Sequence, residues 1–199
     1  AERHLEESFQ KMSMIMSNPA PIPNVDHLQQ QKTQWLLSQI DVAYPTRESV
    51  LGKACYLDLL EKFSEITSLE SAAKDLKQAV STTEWLRADF HKLTVLFARF
   101  MASHSDIPEA SREFLQEFLA QIILDDQGAH SLCLGFEGSE VVGACIVSNS
   151  SEIVLVSDLL LKADLTQDAE VAAILNLFDT EINQAEQSCS VFLHTFTYI

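Results

Sequence analysis

The sequence predicts an α+β fold: a mixed sheet with flanking helices, preceded by an all-helical N-terminal segment. Three observations predict it. Up to about residue 76, apolar residues recur at helical spacing and the only glycine is Gly52. From Ser131 onward short β-rich runs take over, the first pair reading "SLCLGFEGSEVVGACIVS". The last two runs, "EIVLVSDLLL" and "CSVFLHTF", are separated by about 25 residues of turn and helix, a crossover that joins parallel neighbours.

Taken in order, residues 4–16 place Leu5, Phe9, Met12 and Met16 on one side of a helix. "SNPAPIPNVD" has three prolines in five residues, and so is an extended connector. Residues 27–40 resume a helix with Leu28, Trp35, Leu36 and Ile40 on its apolar side. Tyr44-Pro45 breaks it, and Thr46 is placed to cap a third helix carrying Val50, Leu51, Ala54, Leu57, Leu60 and Phe63. Thr67-Ser-Leu-Glu70 fits a capping box for a helix over Ser68 to Ala79. These elements make up a helical extension, residues 1–76, in front of a domain over residues 77–199. Trp35, Leu36, Leu57, Leu60 and Phe63 need cover, so the extension is expected to pack on that domain.

Within the domain, residues 79–85 read as a short strand and 88–102 as a helix with Phe90, Leu93, Phe97, Phe100 and Met101 inward. Asp106-Ile-Pro-Glu109 opens the next helix, whose stripe is Phe114, Leu115, Phe118, Leu119, Ile122 and Ile123. Glu137 to Glu140 is the turn of a hairpin, with Gly138 supplying the bend. The third run, Glu152 to Leu161, is nearly all apolar, as a strand covered on both faces must be. A helix over 169–186 turns Val171, Ile174, Leu175, Phe178, Ile182 and Ala185 inward, and a strand over Cys189 to Phe196 follows.

The charge excludes one class of partner. The formal net charge is −16, and beyond Arg112 the only basic residue is Lys162, against 14 acids. Such a surface repels a polyanion, so nucleic acid is not an expected partner. No apolar run approaches the roughly 20 residues of a membrane helix, so no membrane span is expected. Cys55, Cys133, Cys145 and Cys189 form no C-x-x-C, and three lie in apolar strand-like runs. They read as buried reduced thiols of a cytoplasmic protein. The six histidines are scattered, and no metal site is expected.

The order strand, helix, helix, hairpin, strand, helix, strand resembles the GCN5-related N-acetyltransferases over about Lys77 to Phe196. "TTEWLRADFHKLTVLFARFM" is similar to that family's first strand and helix. "LCLGFEGSEVVGACIV", with its Val141-Val142-Gly143 step, is similar to the second and third strands, and "VSDLLLKAD" to the fourth. The resemblance implies a GNAT-like sheet and a turn after the fourth strand that wraps the pyrophosphate of acetyl-CoA or another acyl-CoA. It also implies a general base on or near that strand, with Asp158 the candidate ahead of Glu152. His194, on the fifth strand, is the other candidate catalytic residue.

The sequence departs from the family at that turn. The family reads Gln/Arg-x-x-Gly-x-Gly/Ala where this chain has Thr166, Ala169 and Val171, and Asp168 and Glu170 add negative charge. Valine is poorly suited to the positive φ such a loop uses. If a cofactor binds, the resemblance places it on Leu160, Leu161, Lys162, Thr166, Ala169 and Val171. Family members usually continue into a further helix bearing a tyrosine acid, and two more strands; here the sequence stops after the fifth, and Tyr198 lies on the wrong element. The expectation is therefore a non-catalytic GNAT-like module for protein interaction or regulation, without a cofactor. The alternative is an acyl-CoA-dependent N-acyltransferase acting on a cationic amine. Asp168 and Glu170 are read as partners of the helix dipole in place of phosphate. The fifth strand has no polar face, so its open edge needs cover, from the helical extension, from a C-terminal part beyond this sequence or from a second copy of the chain; a second copy, in a homodimer, is the cover expected.

Overall fold

The computed structural model describes residues 24–69, 80–105, 107–184 and 190–196. Six strands form one sheet in the order β1-β6-β5-β4-β3-β2. They are β1 (Ser64–Ser68), β2 (Glu84–Arg87), β3 (His130–Glu137), β4 (Glu140–Asn149), β5 (Ile153–Leu161) and β6 (Ser190–Phe196). All neighbours are antiparallel except β5 and β6, which are parallel as the crossover length predicts. The mixed α+β class with flanking helices is thus the observed one.

Helices cover both faces. One face carries α1 (Val25–Ser38), α2 (Arg47–Phe63), α3 (His91–Ala102) and α4 (Glu109–Ala120). Their buried residues, among them Leu36, Tyr56, Phe97 and Phe118, share a core with Leu132, Leu134, Ala144 and Ile146 of the sheet. The other face carries α5 (Gln167–Asn176) and α6 (Asp179–Gln184). There Val171, Ile174 and Phe178 pack on Cys133, Cys145, Val147, Val154 and Val156. Alternate strand residues face opposite cores, as the pleat requires. On this second face the Trp85 indole lies across two glycines paired between strands, Gly135 and Gly143. A Cβ on Gly135 would sit 2.8 Å from Trp85 Cε2, and one on Gly143 2.7 Å from Cη2. The Val-Val-Gly step therefore makes room for a ring.

Several expected elements differ. The stretch before residue 77 is not all helix, because Ser64–Ser68 is a strand. It pairs antiparallel with β6, from Ser64↔Phe196 to Ser68↔Phe192. Ser68 and Leu69 therefore do not open a helix, and residues 70–79, like residues 4–16 and most of the proline connector, lie outside the described residues. The edge of β6 is covered from within the chain, so the case for a second copy at that edge falls.

In α2 the buried positions are Ser49, Gly52, Tyr56 and Leu59, while Val50, Leu51 and Leu57 are exposed. The reason is a close helix crossing: a Cβ on Gly52 would lie 1.9 Å from the Phe114 carbonyl oxygen. The absence of a side chain, rather than an apolar one, selects the contact face. Phe90 and Ile123, expected inward, are exposed because each lies just outside its helix. The helix expected over 169–186 is broken at Leu177-Phe178 into α5 and α6. Asp106 and Ala185 lie outside the described residues.

Candidate functional site at the strand bulge

Strand β5 carries an extra residue. Ala144 pairs with Leu160 but Ile146 pairs with Ser157, so Asp158 and Leu159 together stand opposite Cys145. Asp158 has φ +54°, the only positive φ of a non-glycine among the described residues. Left-handed backbone costs an ordinary residue about 1–2 kcal/mol, and aspartate tolerates it better than most. The bulge shifts the alternation of the strand. Leu155 faces the core beneath α1, and after the extra residue so does Leu160, while Leu159 and Leu161 join the opposite core. The apolar run stays buried on both sides while one carboxylate is turned toward α1 and α2.

That carboxylate is met by a cation. Lys32 of α1 is fully buried, and its Nζ donates to Asp158 Oδ1 at 2.9 Å and to the Tyr56 hydroxyl of α2 at 2.7 Å. The Tyr56 hydroxyl in turn donates to Asp158 Oδ2 at 2.7 Å. His194 of β6 completes the group, with Nδ1 lying 3.2 Å both from the Asp158 backbone N–H and from Oδ1. One nitrogen cannot serve both at once. A neutral Nδ1 accepts the backbone N–H that the bulge leaves without a ladder partner; a protonated Nδ1 donates to the carboxylate instead. The ladder between β5 and β6 ends at Val156↔Leu193, so the four side chains fill the place where the parallel strands stop pairing.

The electrostatics follow. Burial alone would raise the Asp158 carboxyl. The Lys32 charge and hydrogen bonds from His194 and Tyr56 outweigh it and hold the group well below the usual carboxylate range. Burial, followed by the Asp158 charge, pushes the Tyr56 phenol well up, so it stays neutral. A general base works best with a pKa near the operating pH and within reach of a substrate proton. Asp158 is 1% exposed and already paired.

The turn after β5 lies apart from this group, since α5 packs on the opposite face of the sheet. Leu160 and Leu161 are half-buried in the two cores. Lys162 forms an ion pair with Glu140, and its backbone N–H donates to the Val142 carbonyl at 2.9 Å. Thr166 precedes α5 as an exposed N-cap without a side-chain cap bond. Ala169 and Val171 are buried, Val171 among the residues under α5. The two acids of the first turn separate. Asp168 is exposed, as a partner of the helix dipole should be. Glu170 is 2% exposed and serves instead as an acceptor. Trp85 Nε1 donates to it at 2.7 Å, and Ser81 Oγ lies 2.8 and 2.9 Å from its two oxygens. Glu170 thus ties the approach to β2 onto α5. Glu152 is exposed at the start of β5, and Tyr198 lies outside the described residues.

Lys32 and Tyr56 are the members of the Asp158 group that sequence reasoning missed. For Lys32 a signal existed: it sits at the centre of the i, i+4 stripe Leu28, Leu36, Ile40, where a lysine is out of place. A further polar recess opens at the start of β3, where Arg87 donates to Glu181 Oε1 at 2.5 Å and to Ser131 Oγ at 3.2 Å. His130 lines it, stacks on Trp35 with ring centroids 4.9 Å apart, and pairs with Ser148 Oγ at 2.7 Å. Burial and then the Lys32 charge push its imidazole down to about 4.

No family model matches the sequence, and no curated protein matches it either. Solved structures do. A conserved protein of unknown function from Staphylococcus epidermidis ATCC 12228 aligns over 66% of this chain at 12% identity and a TM-score of 0.46; the chain spans 49% of its length. A possible acetyltransferase from Clostridium difficile 630 aligns over 69% of the chain at 10% identity and a TM-score of 0.33, with 80% of that protein covered. An aminoglycoside acetyltransferase from an uncultured soil metagenomic sample, in complex with sisomicin, aligns over 67% of the chain at 16% identity and a TM-score of 0.29, with 78% of that protein covered. No helix among the described residues is long and apolar enough to cross a membrane.

Proposed function

We propose that this chain is a non-catalytic module of GNAT-like fold that acts through protein interaction or regulation. One observation carries the reading. Asp158, the acid the family resemblance would make a general base, is sealed beneath α1 and α2 as the partner of Lys32. A carboxylate held that low and that far from solvent is poorly suited to taking a proton from a bound amine. A second observation supports it. Two of the three turn positions, Ala169 and Val171, pack into the core, and Glu170 between them is an occupied anion. A pyrophosphate there would meet packed side chains and the negative charge of Asp168 and Glu170. The buried thiols Cys133 and Cys145 suit a reducing, cytoplasmic setting.

Calorimetry and thermal unfolding with acetyl-CoA and free CoA test the proposal. The expected result is no saturable heat and no change in Tm. A ligand at 100 times its Kd stabilises by about 2.7 kcal/mol. A shift of that size, or acyl transfer to a cationic amine, would overturn the proposal in favour of an N-acyltransferase using Asp158 and His194.

A further inference from the structure

The Asp158 recess has the form of a site for a primary ammonium group. Two oxygens, Asp158 Oδ1 and Tyr56 Oη, converge on one nitrogen at 2.9 and 2.7 Å, with a second carboxylate oxygen held in place by the same phenol. The recess exists because of a bulge and a left-handed aspartate, and local strain of this kind collects at ligand sites. Its occupant is Lys32, on a helix with a slender hold. Only Leu28, Lys32 and Leu36 of α1 are fully buried, with Ile40 just beyond its end; Val25, Trp35 and Leu37 pack at the margins of the cores, and the rest of the helix is exposed or half-exposed. A buried ion pair adds little net stability over an apolar residue of the same size. Apolar residues at both 32 and 158 would hold α1 to the sheet at least as well. The lysine gives the contact a chemical identity instead of strength. An element that buries one narrow stripe also sits at the low end of local stability and opens before the sheet does.

We propose that α1 is a displaceable latch, with Lys32 as a built-in ligand of a primary-ammonium site that an external amine or a lysine side chain takes when α1 opens. The inference does not depend on the absence of acyl transfer, and none of its readouts uses CoA, so it and the proposed function fail separately.

Amide hydrogen exchange of the full chain provides the test, with n-butylammonium as probe and tetramethylammonium, which has no N–H donor, as control at matched ionic strength. The expected result is faster exchange across Val25–Ser38 with n-butylammonium alone, unchanged exchange in β3 and β4, and no response in Asp158→Asn. Exchange in α1 that is insensitive to n-butylammonium, or equally sensitive to the control, would overturn the proposal. Lys32→Ala gives a second reading. With the recess vacated, n-butylammonium should raise Tm saturably by about 2–4 °C at several times its Kd, with no rise in wild type. If the variant folds only with help, its refolding yield should recover with n-butylammonium and not with the control; no recovery counts against the site. Nα-acetyl-lysine amide separates the two sources. In Lys32→Ala the free amine fits beneath a closed α1, whereas a lysine carrying backbone should bind only with accelerated α1 exchange.

Discussion

Replacing Asp158 by asparagine isolates the charge at the centre of the site. Asparagine keeps the shape and tolerates the φ of +54°, so the backbone term is nearly constant. What changes is the partner of Lys32, a fully buried ammonium left with the Tyr56 hydroxyl at 2.7 Å and a neutral amide. Breaking a buried pair from one side costs about 3–5 kcal/mol, and Asp158→Asn should lie near the lower end because two hydrogen bonds survive. Asp158→Ala should cost a further ~1–2 kcal/mol from left-handed strain. The double variant Lys32→Met with Asp158→Asn removes both charges and should recover most of the loss, giving a coupling of about 2 kcal/mol or more in a double-mutant cycle.

Urea unfolding at neutral pH measures wild type, Lys32→Met, Asp158→Asn, their double variant and Asp158→Ala. The pH dependence supplies a second check. The folded carboxyl lies below its unfolded value of about 3.9, so its contribution is complete above that pH and is lost as pH falls toward the folded value. Wild type should therefore lose stability in acid more steeply than Asp158→Asn below about pH 4. Single variants each within about 0.5 kcal/mol of wild type, the range of an ordinary surface change, with an additive double, would refute the reasoning.

Three further outcomes are expected. Gly52→Ala gains about 1 kcal/mol of helix propensity but drives a Cβ to 1.9 Å from a backbone carbonyl, so net destabilisation of about 2 kcal/mol or more is expected by thermal unfolding. Glu170→Ala strands the Trp85 indole N–H and should cost about 2–3 kcal/mol in urea unfolding, while Glu170→Gln keeps an acceptor and should cost less. His130 should titrate near 4 by NMR, so its share of stability is intact above about 6.5 and declines as pH falls through that window; Lys32→Met should move the titration upward only in part, because burial is the larger cause.

The element order from β2 to β6 was legible because hydrophobic period and turn residues are local signals. Gly138 marked its hairpin, and the apolar run at Ile153–Leu161 was long enough to announce a strand covered on both faces. The face of α2 was not legible. Val50, Leu51 and Leu57 carry the apolar pattern, yet α2 turns Gly52 to α4, since backbone approach outweighs side-chain count. Nor was β1, because "SEITS" has no hydrophobic alternation and takes strand form only against β6. Asp158 and His194 were legible as candidates from the family resemblance. Their partners Lys32 and Tyr56 stand 126 and 102 residues before Asp158, and no local pattern joins them.

The placement of β6 has a kinetic consequence. β6 is nearest the C-terminus among the described strands, yet it lies inside the sheet, between β1 and β5. The pairing Ser68↔Phe192 closes a loop of more than a hundred residues. Pairings this distant in sequence form late and slowly. While the chain is being synthesised, β1 and β5 therefore stand as two unsatisfied edges until β6 leaves the ribosome and inserts between them. During that interval the apolar β5 lies open along the edge that β6 later pairs, as unpaired strand edges of slowly formed sheets do.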